Sequence, residues 1–258
     1  MPGRKAADLP GHWLLARLGK RVLRPGGREL TERMLSDAVL PGADVVELAP
    51  GLGKTAVSIL AHLPASYTGV EFDDDAAALT RAAVGERGRV IRGEAAATGL
   101  PDASADVVVG EAMLSMQTDA HKAEIASEAY RMLRPGGRYA IHELALQPDW
   151  VDDAVKAEVR HALARTIKVN ARPLTAAEWR ELLTGVGFRV DAVSFAPMAL
   201  LEPRRVIADE GLLRTICFVS NVVRDHDARD RVLGMRSTFR KYRASMSAIE
   251  IVATKALA

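Results

Sequence analysis

Short apolar runs alternate with segments whose apolar residues recur at helical spacing. The apolar runs fall at 43–48, 67–71, 89–92, 105–110 and 139–143. Between and before them, residues 28–39, 53–62, 73–83 and 119–131 carry the helical pattern. Asp73, Asp74 and Asp75 open one of these helices, where the macrodipole favours carboxylates. The run 105–110 is nearly all apolar, the mark of a strand buried on both faces. Five such alternations with short connections predict an α/β fold, a parallel, doubly wound sheet covered by helices. Ligands in such sheets bind outside the carboxyl ends of the strands. Glu47, Gly51, Glu71, Glu94, Glu111, His142 and Glu143 fall at or just past those ends.

The alternation stops beyond residue 143. Residues 151–165 and 175–184 read as helices, 187–193 as a sixth strand and 247–253 as a last strand. Residues 203–243 read as mostly helical, too long an insertion for a turn and a candidate substrate cover. Upstream, residues 11–19 predict a short amphipathic helix that packs on the core or acts as a lid. Arg-Pro-Gly-Gly-Arg occurs at 24–28 and again at 134–138, and both copies read as turns. The expected organisation is one domain, 1–258. Its parts are N-terminal helices or a lid at 1–40, a cofactor-binding core at 41–145 and substrate-side helices with the remaining strands at 146–258.

Composition narrows the class. The 258 residues are 48% hydrophobic and 26% charged, which suits one soluble globular domain. A net charge of +2 and 5% aromatic residues give no support for a nucleic-acid partner. Two segments are locally basic: Arg4, Lys5, Arg17, Lys20, Arg21, Arg24 and Arg28, then Arg229, Arg231, Arg236, Arg240, Lys241 and Arg243. They read as solvated faces or as a cationic rim that orients an anionic substrate. A single cysteine, Cys217, excludes a disulfide scaffold or a multi-cysteine metal site, and no metal is expected. No apolar run is long enough to span a membrane and no signal-like segment opens the chain, so a cytoplasmic location is expected. A homodimer is allowed.

Val45 to Ala56 reads as strand, glycine turn and first helical turn, with Glu47 near the strand's end. Glycine permits positive φ and a close ligand approach. A P-loop does not fit, because Leu48 stands where its leading glycine belongs. Gly51-x-Gly53-x-x-Ala56 matches dinucleotide spacing, with Glu71 twenty residues beyond Gly51. An NAD(P)-dependent oxidoreductase is therefore an alternative, although Glu47 would sit beside an anionic pyrophosphate.

Further motifs favour a third ligand. Glu47-Leu48-Ala49-Pro50-Gly51-Leu52-Gly53 resembles the first motif of the class I S-adenosylmethionine-dependent methyltransferases. Glu71, Gly93-Glu94-Ala95 with Leu100-Pro101, Asp106-Val107-Val108-Val109 and Leu133-Arg134-Pro135-Gly136-Gly137 resemble the motifs that follow, in order. The layout is similar to small-molecule enzymes of the quinone-biosynthesis and arsenite-methyltransferase type, the single cysteine disfavouring arsenite. The resemblance implies a Rossmann-like sheet of seven strands, mostly parallel with the last antiparallel, and S-adenosylmethionine as cofactor, leaving S-adenosylhomocysteine. It implies that Glu47, Ala49, Gly51 and Gly53 meet the methionine end and Glu71 the ribose. Phe72, Glu94 and Ala95 would meet the adenine, with Glu111 and Ala112 closing the site and Met113 or Leu114 beside the adenine or the methyl path.

Methyl transfer from a sulfonium is an in-line displacement, so alignment of the reactants carries most of the catalysis. Where the nucleophile must lose a proton, Glu111, His142 and Glu143 are the candidate bases, with His121 less favoured. The acceptor pocket is expected from 11–28, 144–175 and 196–223, with Trp13, Trp150, Phe195, Met198, Leu200, Leu201 and Phe218 as apolar candidates. A small, largely apolar metabolite with an O, N or C nucleophile is the expected acceptor. A protein that binds the cofactor without turnover is the other reading.

Overall fold

The computed structural model describes residues 9–257, so Arg4 and Lys5 lie outside the described residues. Helices α1 (Gly11–Arg17) and α2 (Arg28–Ala38) lead into β1 (Asp44–Leu48), α3 (Lys54–Ala61), β2 (Ser66–Glu71) and α4 (Asp74–Val84). Then come β3 (Arg89–Arg92), β4 (Ala105–Glu111), α5 (Asp119–Met132) and β5 (Leu133–Leu146). The second half contains α6 (Asp153–Ile167), β6 (Leu174–Thr175), α7 (Ala176–Val186) and β7 (Phe188–Pro197). It closes with α8 (Pro203–Glu210), α9 (Leu212–Arg224), α10 (His226–Lys241) and β8 (Met246–Lys255).

The strand order is β3-β2-β1-β4-β5-β8-β7, and β6 pairs with β5. β1 to β5 are parallel, while β8 runs antiparallel to both β5 and β7. This is the Rossmann-like, mostly parallel sheet with an antiparallel last strand. It has eight strands rather than seven because the two-residue β6 adds to the expected set. The second Arg-Pro-Gly-Gly-Arg is a bulge inside β5 rather than a free turn: Ala105 faces Leu133 and Val107 already faces Arg138. Gly136 supplies the positive φ (79°) that such a kink needs.

Alternation along the strands feeds a separate apolar layer on each face. Val45, Val107 and Val109 join α2, α3 and α4 through Met34, Leu35, Ile59 and Leu60. Val46, Val108 and Ile141 face α5 and α7 through Ile125, Met132, Trp179 and Leu183. Local chemistry starts these helices. Asp73 accepts the Ala76 N–H of α4 at 2.9 Å. At α7, Thr175 and Glu178 exchange backbone bonds as a capping box. Such caps are worth about 1 kcal/mol each.

A third apolar cluster joins α1, α6 and the α8–α10 insertion through Leu14, Leu15, Leu163, Phe218, Val232 and Met235. One face of α9 remains bare: Leu212, Leu213, Ile216, Val219 and Val223 are all exposed. No helix of the described residues is long and apolar enough to cross a membrane.

Candidate active site

Two left-handed corners shape the ends of the central strands. Ala49 after β1 has φ 51° and Ala112 after β4 has φ 54°. The turn between β1 and α3 needs positive φ again at Gly51 (57°) and Gly53 (68°). At Gly53 a Cβ would lie 2.9 Å from Ala83 Cβ and 3.0 Å from Thr80 Cα, so only glycine lets the turn rest on α4. Thr80 Oγ1 pins the turn by donating to the Gly51 carbonyl at 3.0 Å. The corners and the turn border a cavity of about 330 Å³, whose walls include Glu47, Ala49, Gly51, Glu71, Glu111 and Ala112. The structure thus brings six of the expected cofactor residues together.

Each acid has its own environment. Glu71 ends β2, and its carboxylate accepts the N–H groups of Gly51 (3.0 Å), Phe72 (3.0 Å) and Asp73 (3.1 Å). Glu47 is buried beneath the turn and accepts the Tyr67 hydroxyl at 2.6 Å. Burial, with Glu111 and Glu71 nearby, pushes its carboxyl up to about 8, against the opposing bond from Tyr67 and the charge of Arg24. Glu111, at the end of β4, behaves oppositely. Burial would raise it, but Arg24, His142 and Thr31 outweigh that and hold it well below the usual carboxylate range.

The Glu111 network was not legible in the sequence. Arg24 Nη1 donates to Glu111 Oε2 and to Thr55 Oγ1, each at 2.7 Å. The hydroxyls of Thr31 and Thr55 also donate to Glu111. His142 Nδ1 stands 2.8 Å from Glu111 Oε1, and its Nε2 donates to the Pro25 carbonyl at 2.5 Å. The first Arg-Pro-Gly-Gly turn therefore fastens the N-terminal segment to the sheet through Arg24 and Pro25. Chain separations of 31 to 117 residues hide these contacts from any local pattern.

The expected bases fit their surroundings differently from the sequence reading. His142 is fully buried within that network and does not line the cavity. Glu143 is fully buried and accepts the N–H groups of Met113, Leu114 and Ser115 and the Ser115 hydroxyl, so it anchors the loop after β4. Glu111 does line the cavity, but it is already engaged by four side-chain partners. His121 pairs with Glu124 on the outer face of α5. Gly53, Phe72, Glu94 and Ala95 do not line the cavity; Phe72, just after β2, and Glu94, just after β3, are exposed. Met113 lines it, whereas Leu114 packs into the core.

Much of the remaining wall comes from the N-terminal segment and the loop after β4: His12, Trp13, Arg21, Leu23, Met113, Met116 and Gln117, with Lys54 from α3 and Asp73 and Ala76 at the start of α4. Of the expected acceptor regions, only 11–28 contributes. Trp150 and Phe195 are exposed, and Met198, Leu200, Leu201 and Phe218 belong to the helical cluster. The α8–α10 insertion supplies none of the cavity wall, so α1 is its cover. The basic helix α10 is largely neutralised: Arg236 and Arg240 meet Glu202, and Lys241 meets Glu158. No cluster suited to a metal ion occurs among the described residues.

The fold is a Rossmann-like architecture, and the cavity at its strand ends is walled by the acids Glu47, Glu71 and Glu111. Comparison with known proteins agrees. The Methyltransf_11 family, a methyltransferase domain, matches residues 46–141. An uncharacterised protein of Haemophilus influenzae is 31% identical over 241 residues, spanning 91% of this chain and 93% of its own. A Mycolicibacterium smegmatis protein provisionally named an S-adenosylmethionine-dependent methyltransferase is 31% identical over 153 residues, 58% of this chain and 53% of its own length. Among solved structures, the [4+2]-cyclase SpnF shares the fold with TM-score 0.73 at 15% identity, over 100% of this chain and 99% of that one. The chain belongs to the class I S-adenosylmethionine-dependent methyltransferases.

Proposed function

We propose that the cavity binds S-adenosylmethionine along the β1, β2 and β4 ends and that the protein methylates a small, largely apolar molecule at its α1 side. The observation that carries this reading is the pairing of Glu71 with Glu47. Glu71 has its carboxylate oriented by three N–H groups and suits a ribose diol, to which it would accept two hydroxyls. Glu47 is a buried carboxyl whose ionisation awaits a neighbouring cation, which suits the ammonium of the methionine end. A pyrophosphate at the same place would meet two acids, which disfavours a dinucleotide. When bound, the cofactor supplies an electrophilic methyl on a sulfonium.

The chain's own residues then have separable tasks. Ala49, Gly51 and Gly53 keep the turn open to the methionine end, and the exposed Phe72 and Glu94 with the half-buried Ala95 offer a shelf for adenine. Glu111 and Ala112 close the floor. Trp13, Leu23, Met113 and Met116 exclude water around the acceptor. Because Glu111, His142 and Glu143 are committed to hydrogen bonds, His12 is the better candidate to take a proton from the nucleophile. It lines the cavity, and burial pushes its imidazole pKa down, favouring the neutral base.

Thermal shift tests the reading. S-adenosylmethionine and S-adenosylhomocysteine should raise Tm, whereas NAD, NADP and ATP should not, since only a ligand of the native state stabilises it. Glu71→Ala should abolish the shift. An undiminished shift in that variant would remove the ribose assignment, and a shift with NAD alone would restore the oxidoreductase.

A further inference from the structure

The basic residues of the N-terminal segment fall into two sets. Arg17 reaches Asp225 at 3.3 Å, Lys20 lies buried between Asp209 and Glu210, and Arg24 holds Glu111. Each of those charges is met by acids of the fold itself. Arg21 and Lys54 instead line the cavity, and both are exposed. Arg214, on the first turn of α9, adds to the positive field at Lys54 without lining the cavity. Among the described residues, no carboxylate forms an ion pair with the side chain of Arg21 or Lys54. The acid whose charge opposes this field at Lys54, Glu210, is already occupied, accepting the backbone N–H groups of Arg21 (2.7 Å) and Val22 (2.8 Å) beside Lys20.

Such an arrangement is unfavourable for the empty fold. Partial burial and then the charges of Arg21 and Arg214 depress the Lys54 ammonium, with Glu210 opposing only in part. Like charges gathered at the edge of a low-dielectric cavity raise the local concentration of anions and are relieved when one binds. The inner wall is different: Trp13, Leu23, Met113 and Met116 give it an apolar lining. A ligand matching both would have an apolar body and an anionic end.

We propose that Arg21 and Lys54 form an anion subsite at the cavity mouth, and that the methyl acceptor is an apolar molecule bearing a carboxylate or phosphate group seated there. The inference rests on the methyltransferase reading of the same cavity. The cations have a rival use, since the cofactor's own carboxylate is an anion near the turn that carries Lys54. The subsite belongs to the acceptor because Arg21 comes from the N-terminal segment that also supplies Trp13 and Leu23 to the apolar wall.

Calorimetric titration of the full chain, saturated with S-adenosylhomocysteine, separates these uses. The probes are decyl phosphate, decanoate and decanol, and the variant is Arg21→Gln/Lys54→Gln, with both substitutions at exposed positions. Decyl phosphate or decanoate should bind at least tenfold more tightly than decanol. The double variant should lose about tenfold for the anionic probes, while its affinity for S-adenosylhomocysteine changes less than twofold. Preference for both anionic probes marks a general anion subsite; preference for one of them assigns carboxylate or phosphate. Equal binding of all three probes, or unchanged anion binding in the double variant, overturns the subsite. A parallel loss of S-adenosylhomocysteine affinity overturns it too and gives the cations to the cofactor. Failure of the parent chain to bind S-adenosylhomocysteine overturns the underlying methyltransferase reading instead.

Discussion

Glu47 couples the site to pH. Its carboxyl stays protonated in the folded chain up to about 8, whereas an unfolded Glu loses its proton near 4.3. Between those values the native state holds a proton that the unfolded chain has released, so this group's contribution to stability falls as pH rises toward 8. Glu47→Gln should therefore make the ligand-free protein more stable at pH 8, by on the order of 1–3 kcal/mol, and change it little near pH 4–5. Urea unfolding at the two pH values measures this. Ligand binding should show the reverse slope. An ammonium beside Glu47 favours the carboxylate, so affinity for S-adenosylhomocysteine should rise from pH 6 to about 8, where the ligand's own amino group begins to deprotonate. A flat profile would remove Glu47 from the ammonium site. His12 is tested at the same scale. His12→Gln should lower kcat about 10²–10⁴-fold and abolish the acidic limb of the kcat profile, with S-adenosylhomocysteine affinity unchanged. A variant of full activity would leave alignment alone to carry the reaction.

Elements set the second scale, and the β1–α3 turn is the clearest case. Gly51 and Gly53 share positive φ, but only Gly53 abuts another element. Gly51→Ala should cost about 1–2 kcal/mol, the penalty of a left-handed alanine. Gly53→Ala should cost more, because a methyl group there collides with Thr80 and Ala83 and separates α3 from α4. Comparable denaturation midpoints for the two variants would contradict that packing. Elements were also what the sequence revealed best. Apolar runs and capping residues located seven strands and most helices within a few residues. The pattern could not reveal β6, whose two residues are too few for any periodicity, and it misread Arg134–Gly137, where pairing with β4 turns an apparent loop into a bulge.

Across the whole molecule, Arg24, together with the Pro25 carbonyl, ties the N-terminal cover to the sheet. Removing it leaves Glu111 buried without its guanidinium partner, and breaking such a pair costs about 3–5 kcal/mol. Arg24→Met should lower stability by that order and expose the segment before α2 to limited proteolysis; unchanged protection would show the segment to be held by apolar packing alone. The acids Glu47 and Glu71 and the glycine turn were readable because their roles follow from position at a strand end and from backbone conformation, both local properties. Glu47's raised carboxyl, Glu111's captive state, the anchoring of His142 and Glu143, and the choice of α1 over the long insertion as cover were not. They depend on which residues, tens to hundreds of positions apart, share one low-dielectric space. The sequence by itself determined the sheet, the glycine turn and the acids that point to the cofactor. Only the tertiary structure decided which of those acids are free to act, because burial and partner charges, unlike residue identity, are set by the packing of distant segments.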